Sequence, residues 1–154
     1  MTFLERACAA LNAGKAHYLV VGGYAVALHG AVRGTLGVDI ALRWTRKNLQ
    51  NAEAALNQMG LVSRLPLTSL DIYNYREEYI RNRNLIAWNF HNPDNMSEQL
   101  DIIINFDAKG KKAKRKKLSS LVIPILNIAD LIEMKKVSGR PQDIEDIKAL
   151  EKLR

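Results

Sequence analysis

The residues best suited to chemistry lie between positions 19 and 42. The apolar run Leu19-Val20-Val21 meets the pair Gly22-Gly23, small residues continue to His29 and Gly30, and a second apolar run, 38–42, carries one acid, Asp39. Two glycines where a strand opens into a helix expose backbone N–H groups and let the positive helix end approach phosphate oxygens closely. A glycine pair alone is more simply a tight turn, so a phosphate site here depends on the residues downstream of the pair. An acid inside an apolar strand needs an ion-pair partner or a coordinated cation, which makes Asp39 a candidate metal ligand. Arg33 and Thr35, just upstream of Asp39, are near enough in sequence to contact phosphates, although a loop arginine serves structure as readily. Asp101 opens the run Ile102-Ile103-Ile104 and is either a second ligand or a strand-end acid facing water. On a strand, residues i and i+2 face the same way, so acids two apart present both side chains to one metal site.

Elements must hold these residues in place. Apolar residues at Leu4, Ala7, Cys8 and Leu11 have helical spacing, closed by Asn12 and Gly14. Strands are expected over 17–21 and 38–42, with a short helix over 24–29 between them. Thr45 caps a helix whose apolar face is Leu49, Ala52, Ala55, Leu56 and Met59, stopped at Gly60. Residues 73–83 mix aromatic and charged side chains without a clean period. Further strands are expected over 85–90, 100–106 and 121–126, the last interrupted by Pro124, which argues for an edge or a strand end. Asn127 caps a helix over 129–137, and Pro141 starts a helix running to residue 153. The pattern predicts one α/β or α+β domain over residues 1–154: a small mixed sheet flanked by helices, with two helices at the C-terminus.

Composition narrows the classes. With 47% hydrophobic and 25% charged residues the chain reads as soluble and globular. Its apolar runs fall short of the roughly 18 residues of a membrane helix, and Glu5 and Arg6 interrupt any signal-peptide pattern; a cytoplasmic protein without a membrane partner is expected. One cysteine, Cys8, excludes an intramolecular disulfide and multi-cysteine zinc sites. The net charge of +7 is local: Lys109, Lys111, Lys112, Lys114, Arg115, Lys116 and Lys117 form a run, outside which the basic residues equal the 16 acidic ones. Such a run, without aromatic residues inside it, suits phosphate contacts to a nucleic acid, or is a solvated loop. Tyr73, Tyr75 and Tyr79 with Arg76, Arg81 and Arg83 are of the type that stacks on bases, and a half-buried segment explains them nearly as well.

The string Val21-Gly22-Gly23, Ala25, His29-Gly30, Arg33, Thr35 and Val38-Asp39 resembles the DNA polymerase β-like nucleotidyltransferase superfamily, and within it the small bacterial AbiEii-type enzymes, many of them toxins of toxin–antitoxin pairs. Asp130 to Lys135, then Gly139-Arg140-Pro141-Gln142-Asp143 and Asp146, resemble the same group; the middle of the chain does not. The resemblance implies a palm-like fold and metal-dependent transfer of a nucleotide from an NTP, with Mg²⁺ or Mn²⁺ as cofactor. Asp39 and Asp101 then match the second and third of three catalytic, metal-binding acids, and Gly22, Gly23, Arg33, Thr35 and Lys135 the nucleotide site. On spacing alone, Lys135 is a surface lysine, and Asp143 and Asp146 share a helix face on which Arg140 or Lys135 can pair with them.

The first acid of the resembled set is absent, because its position holds Gly37. A natural pseudoenzyme, an inactive variant of an active parent, and a displaced alignment all account for this. The expected acceptor is an RNA, such as a tRNA end, or a protein hydroxyl, with Lys111, Lys112, Lys114, Arg115, Lys116 and Lys117 holding the polyanion. Two other readings stand beside it: a noncatalytic nucleotide- or nucleic-acid-binding module, and one half of a toxin–antitoxin pair whose basic run meets an antitoxin.

Overall fold

The computed structural model covers residues 1–154 and contains six helices and one seven-stranded mixed sheet. The elements are α1 (Phe3–Ala13), β1 (Tyr18–Val21), α2 (Gly22–Leu28), β2 (Val38–Leu42), α3 (Arg46–Gln58), β3 (Val62–Ser63), α4 (Ser69–Arg83), β4 (Ala87–Asn92), β5 (Asn95–Ile103), β6 (Ala113–Leu118), β7 (Leu121–Leu126), α5 (Ile128–Ser138) and α6 (Pro141–Leu153). The strand order is β3-β4-β5-β2-β1-β7-β6. β2 runs antiparallel to β1 and parallel to β5, and β7 runs parallel to β1. This is the mixed α/β architecture expected from the alternation of patterns. No helix is long and apolar enough to cross a membrane.

Strand alternation sorts the sheet into two faces. Ile40, Ile102, Trp88, Phe90 and Leu100 are fully buried on one of them, within a continuous apolar cluster that also takes Cys8 and Leu11 of α1 and Leu49 and Leu56 of α3. Asp39, Asp101 and Asn89 alternate with those residues and therefore point to the other face. The caps behave as the sequence indicates: the side chains of Thr45 and Asn127 accept hydrogen bonds from the N–H groups of Asn48 and Asp130, and Pro141 starts α6.

Five expectations change. The strand expected over 100–106 is β5, Asn95–Ile103, so Asp101 lies within it and not at its start. Residues 73–83, without a legible period, belong to α4, which is polar on most sides and kinked at Tyr75; its signal is the reciprocal cap between Thr68 and Asp71. The basic run is not a loop throughout: Lys114 to Lys117 sit in β6, made a strand by pairing with β7 rather than by their own propensity. β6 is an edge strand, and exposed lysines there discourage pairing with another chain. Pro124 lies in β7, inside the sheet and not on its edge; it is tolerated where the β1 side of β7 is paired at one position, Val20 with Ile125. Lys135 is buried at 5% exposure, not a surface lysine.

Candidate active site

β1 ends at Val21, directly opposite Asp39 of β2, and Asp39 lies directly opposite Asp101 of β5. Register therefore sets the two acids side by side, on the face opposite Ile40 and Ile102 and next to the Gly22-Gly23 corner. Gly22 has φ +68°, and a Cβ added to it would come 2.1 Å from Asp39 Oδ2. A Cβ on Gly23 would come 2.8 Å from Thr35 Oγ1 and 3.2 Å from the Arg33 guanidinium carbon. The glycines are thus needed because the carboxylate of Asp39 and the Arg33–Thr35 segment occupy the space their side chains would fill. Gly22→Ala combines left-handed strain with this collision. Its expected loss of stability is about 2 kcal/mol, read as a lower urea midpoint, together with displacement of the Asp39 carboxylate.

Asp101 accepts a hydrogen bond from Asn89 Nδ2 at 2.8 Å, and Arg64 Nε in turn donates to Asn89 Oδ1 at 2.9 Å. Sequence reasoning missed Asn89. Its position between the buried Trp88 and Phe90 marks it as facing away from the core, but only the pairing of β4 with β5 shows that it meets an acid.

The third side of the site comes from the C-terminal helices. Lys135 Nζ lies 2.8 Å from Asp146 Oδ2 and 3.4 Å from Asp143 Oδ1. Arg33 Nε donates to Asp146 Oδ1 at 3.0 Å, and Arg140 Nε donates to Asp143 Oδ2 at 2.9 Å. Three cations and two nearly fully buried acids thus bind α5, α6 and the loop before β2 into one network, the pairing expected for Asp143 and Asp146. Burial alone raises the pKa of both acids. The hydrogen bonds of Arg140 and Ser138 to Asp143, and of Lys135, Gln142 and Arg33 to Asp146, more than offset it and hold each below the usual carboxylate range.

Asp39 is perturbed the opposite way. Burial pushes its pKa up, the neighbouring Asp101 adds to that, and Lys135, Arg140 and Arg33 only partly counter it, leaving a value of about 6. A half-buried acid beside a second acid is short of positive charge, which is the situation a divalent cation relieves. Hard oxygen donors of this kind suit Mg²⁺ or Mn²⁺. No cluster of three or more His, Cys, Asp or Glu side chains capable of holding a metal exists in the fold. Gly37 lies one residue before β2, and a Cβ there would have the Gln99 carbonyl at 3.9 Å as its nearest neighbour, so a side chain has room to start at this position.

Of the remaining candidates, His29 donates or accepts through Nε2 with the Leu126 carbonyl at 2.7 Å, a structural contact at the end of α2. Arg76 lies over the Trp44 ring, its guanidinium carbon 4.4 Å from the centroid, and donates to the Ile104 carbonyl, so it is already engaged. Lys111, Lys112, Lys114, Arg115, Lys116 and Lys117 are all exposed, the last four on β6, three strands across the sheet from β2.

The chain matches no protein-family model and no curated protein sequence. Solved structures do resemble it. The antibiotic-resistance factor ANT(2'')-Ia aligns with a TM-score of 0.64 at 12% identity, over 96% of this chain and 80% of its own. The lincosamide antibiotic adenylyltransferase LnuA, solved with lincomycin bound, aligns with a TM-score of 0.61 at 14% identity, over 93% and 90%. An antigenic nucleotidyltransferase-like protein from Paracoccidioides brasiliensis aligns with a TM-score of 0.56 at 13% identity, over 95% and 75%. The sheet and its flanking helices thus have a fold like that of these nucleotidyltransferases.

Proposed function

We propose that this chain is a single nucleotidyltransferase-like domain that transfers a nucleotide from an NTP to an RNA acceptor, weakly, because one of its metal-binding acids is replaced by Gly37. The observation that supports this reading best is the register: Asp39 and Asp101 adjoin on parallel strands, with the Asp39 carboxylate packed on the Gly22 corner. Asp39 and Asp101 would hold Mg²⁺ or Mn²⁺, which in nucleotidyl transfer activates the attacking hydroxyl and neutralises the triphosphate. Asn89 fixes one Asp101 oxygen and leaves the other free. Arg33 would offer positive charge to the phosphates, oriented beforehand by its pairing with Asp146, while Lys135, buried against Asp143 and Asp146, acts on the site through the charge it sets beside Asp39. Incubation with α-labelled nucleotides and Mn²⁺ tests the reading, with total RNA, protein, tobramycin and lincomycin offered as separate acceptors. Label on RNA supports it, and label confined to protein or an antibiotic overturns the acceptor.

A second reading, noncatalytic binding of nucleotide or nucleic acid, is favoured by the same lack of a third carboxylate beside Asp39 and Asp101. Metal binding separates neither reading from the other, but it checks the site. The folded chain takes up a proton at Asp39 between the ordinary carboxylate value of 3.8 and about 6, so this group favours the fold at acid pH and disfavours it as pH rises through that window. A cation competes with that proton. Mn²⁺ is expected to raise Tm by about 3 °C at pH 7.5, corresponding to ~1 kcal/mol, and to lose the effect below pH 6. Asp39→Asn abolishes the Mn²⁺ effect while raising Tm in metal-free buffer at pH 7.5; a full Mn²⁺ response in this variant would move the metal elsewhere.

A further inference from the structure

A second concave surface lies at the far end of the sheet. It is a groove of about 690 Å³ whose wall includes His17, Arg43, Lys109, Lys111 and Arg115, and no acidic residue. These groups come from four separate segments that the fold brings together. His17 precedes β1, and Arg43 comes directly after β2, its N–H donating to the His17 carbonyl at 3.2 Å. The segment carrying Lys109 and Lys111 is tied down by Ala108 N–H to the Leu42 carbonyl at 3.0 Å and turns at Gly110, φ +74°. Arg115 enters from β6, opposite Pro124. Arg43, Lys109 and Arg115 are exposed and without an ion-pair partner, and Lys111 has a 3.9 Å contact with Asp130 and lies 5.7 Å from the Phe106 ring centroid. Edge protection accounts for the lysines of β6 but not for the convergence of Arg43 and Lys109 on the same groove.

We infer that this groove binds the phosphate backbone of the RNA acceptor, as an anchoring site separate from the catalytic acids. Charge complementarity selects the occupant: four permanent cations with no carboxylate in the wall match a polyanion of closely spaced phosphates, and the lack of an exposed aromatic ring in the groove makes the contact independent of base sequence. The groove lies at the end of β1 remote from the acids, since Tyr18 pairs with Leu42 whereas Val21 pairs with Asp39. Arg43 is four residues beyond Asp39, about 13 Å along the strand direction. An acceptor engaging both places must span that length, which a chain of several nucleotides does and a compact antibiotic does not. This inference rests on the proposed nucleotidyl transfer to RNA and adds where the acceptor is held.

The experiment measures fluorescence anisotropy of a labelled 20-nucleotide single-stranded RNA with the full chain, without nucleotide or divalent metal, across a salt series. Four phosphate contacts predict a slope of log affinity against log salt near about −3. The triple variant Arg43→Ala, Lys109→Ala, Arg115→Ala should lose about tenfold or more in affinity at low salt and flatten the slope to about −1. Lys136→Ala with Lys148→Ala, exposed on α5 and α6, should change neither, and thermal melts confirm that each variant is folded. Unchanged binding by the triple variant, no RNA binding by the parent chain, or equal affinity for a poly-glutamate peptide each overturns the inference. Because the assay requires no turnover, loss of groove binding with intact transfer refutes the anchor alone, and groove binding without transfer refutes the catalytic reading alone.

Discussion

Gly37→Asp is expected to increase Mn²⁺-dependent nucleotide transfer by about 100-fold or more, the largest change any single substitution in this chain should produce. The geometry permits it, since nothing but the Gln99 carbonyl comes within 4 Å of a Cβ at position 37. The new carboxylate would stand two residues before Asp39 and add a third acid to the pair that Asp39 and Asp101 would offer a cation. Without metal the same change should destabilise, because a third negative charge joins a pair in which Asp39 is already pushed up to about 6. The signature is therefore double: Tm falls in chelator and rises on adding Mn²⁺ by more than in the parent, while incorporation of α-labelled nucleotide climbs from background. Gly37→Asn, of the same shape without the charge, should restore neither. If Gly37→Asp leaves both metal response and incorporation unchanged, Asp39 and Asp101 do not form a catalytic pair.

The second large effect is structural. Lys135→Ala should destabilise the chain by about 3–5 kcal/mol, because it leaves the buried carboxylates of Asp143 and Asp146 without the cation that bridges them. Chemical denaturation reads this directly, and a fall in Tm of roughly 10 °C accompanies it. Arg140 still holds Asp143 and Arg33 still holds Asp146, so the fold survives, but the junction of α5 and α6 loosens beside the site. Removing this cation should also raise the Asp39 pKa further, since Lys135 is the strongest of the positive charges restraining it. The adjacent Lys136 is the control: exposed and paired only with Glu133 at 3.2 Å, its replacement by Ala should cost under about 0.5 kcal/mol. A loss below about 1 kcal/mol for Lys135→Ala would show that the two arginines suffice, freeing Lys135 for a ligand.

The sequence by itself determined whatever depends on neighbours along the chain. The corner at Gly22-Gly23, the strand carrying Asp39, and the starts of α3, α5 and α6 are written in local signals: glycine at positive φ, apolar alternation, side-chain caps at Thr45 and Asn127, and proline at the first turn. α4 escaped because its exposed helix has little apolar periodicity to show, and β6 because lysines have no strand preference and acquire extended structure only from β7.

Tertiary structure alone decided which distant residues meet. Parallel pairing of β2 with β5 places Asp39 beside Asp101, and pairing of β4 with β5 brings Asn89 to Asp101. Packing of α5 on α6 turned Lys135 from a residue that composition assigns to solvent into the centre of a buried charge network. The segments carrying Arg43, Lys109 and Arg115 became one groove in the same way. The physical reason is common to all of these: register and burial are set by the whole core closing at once, so contacts between remote segments have no local energetic signature from which to be read.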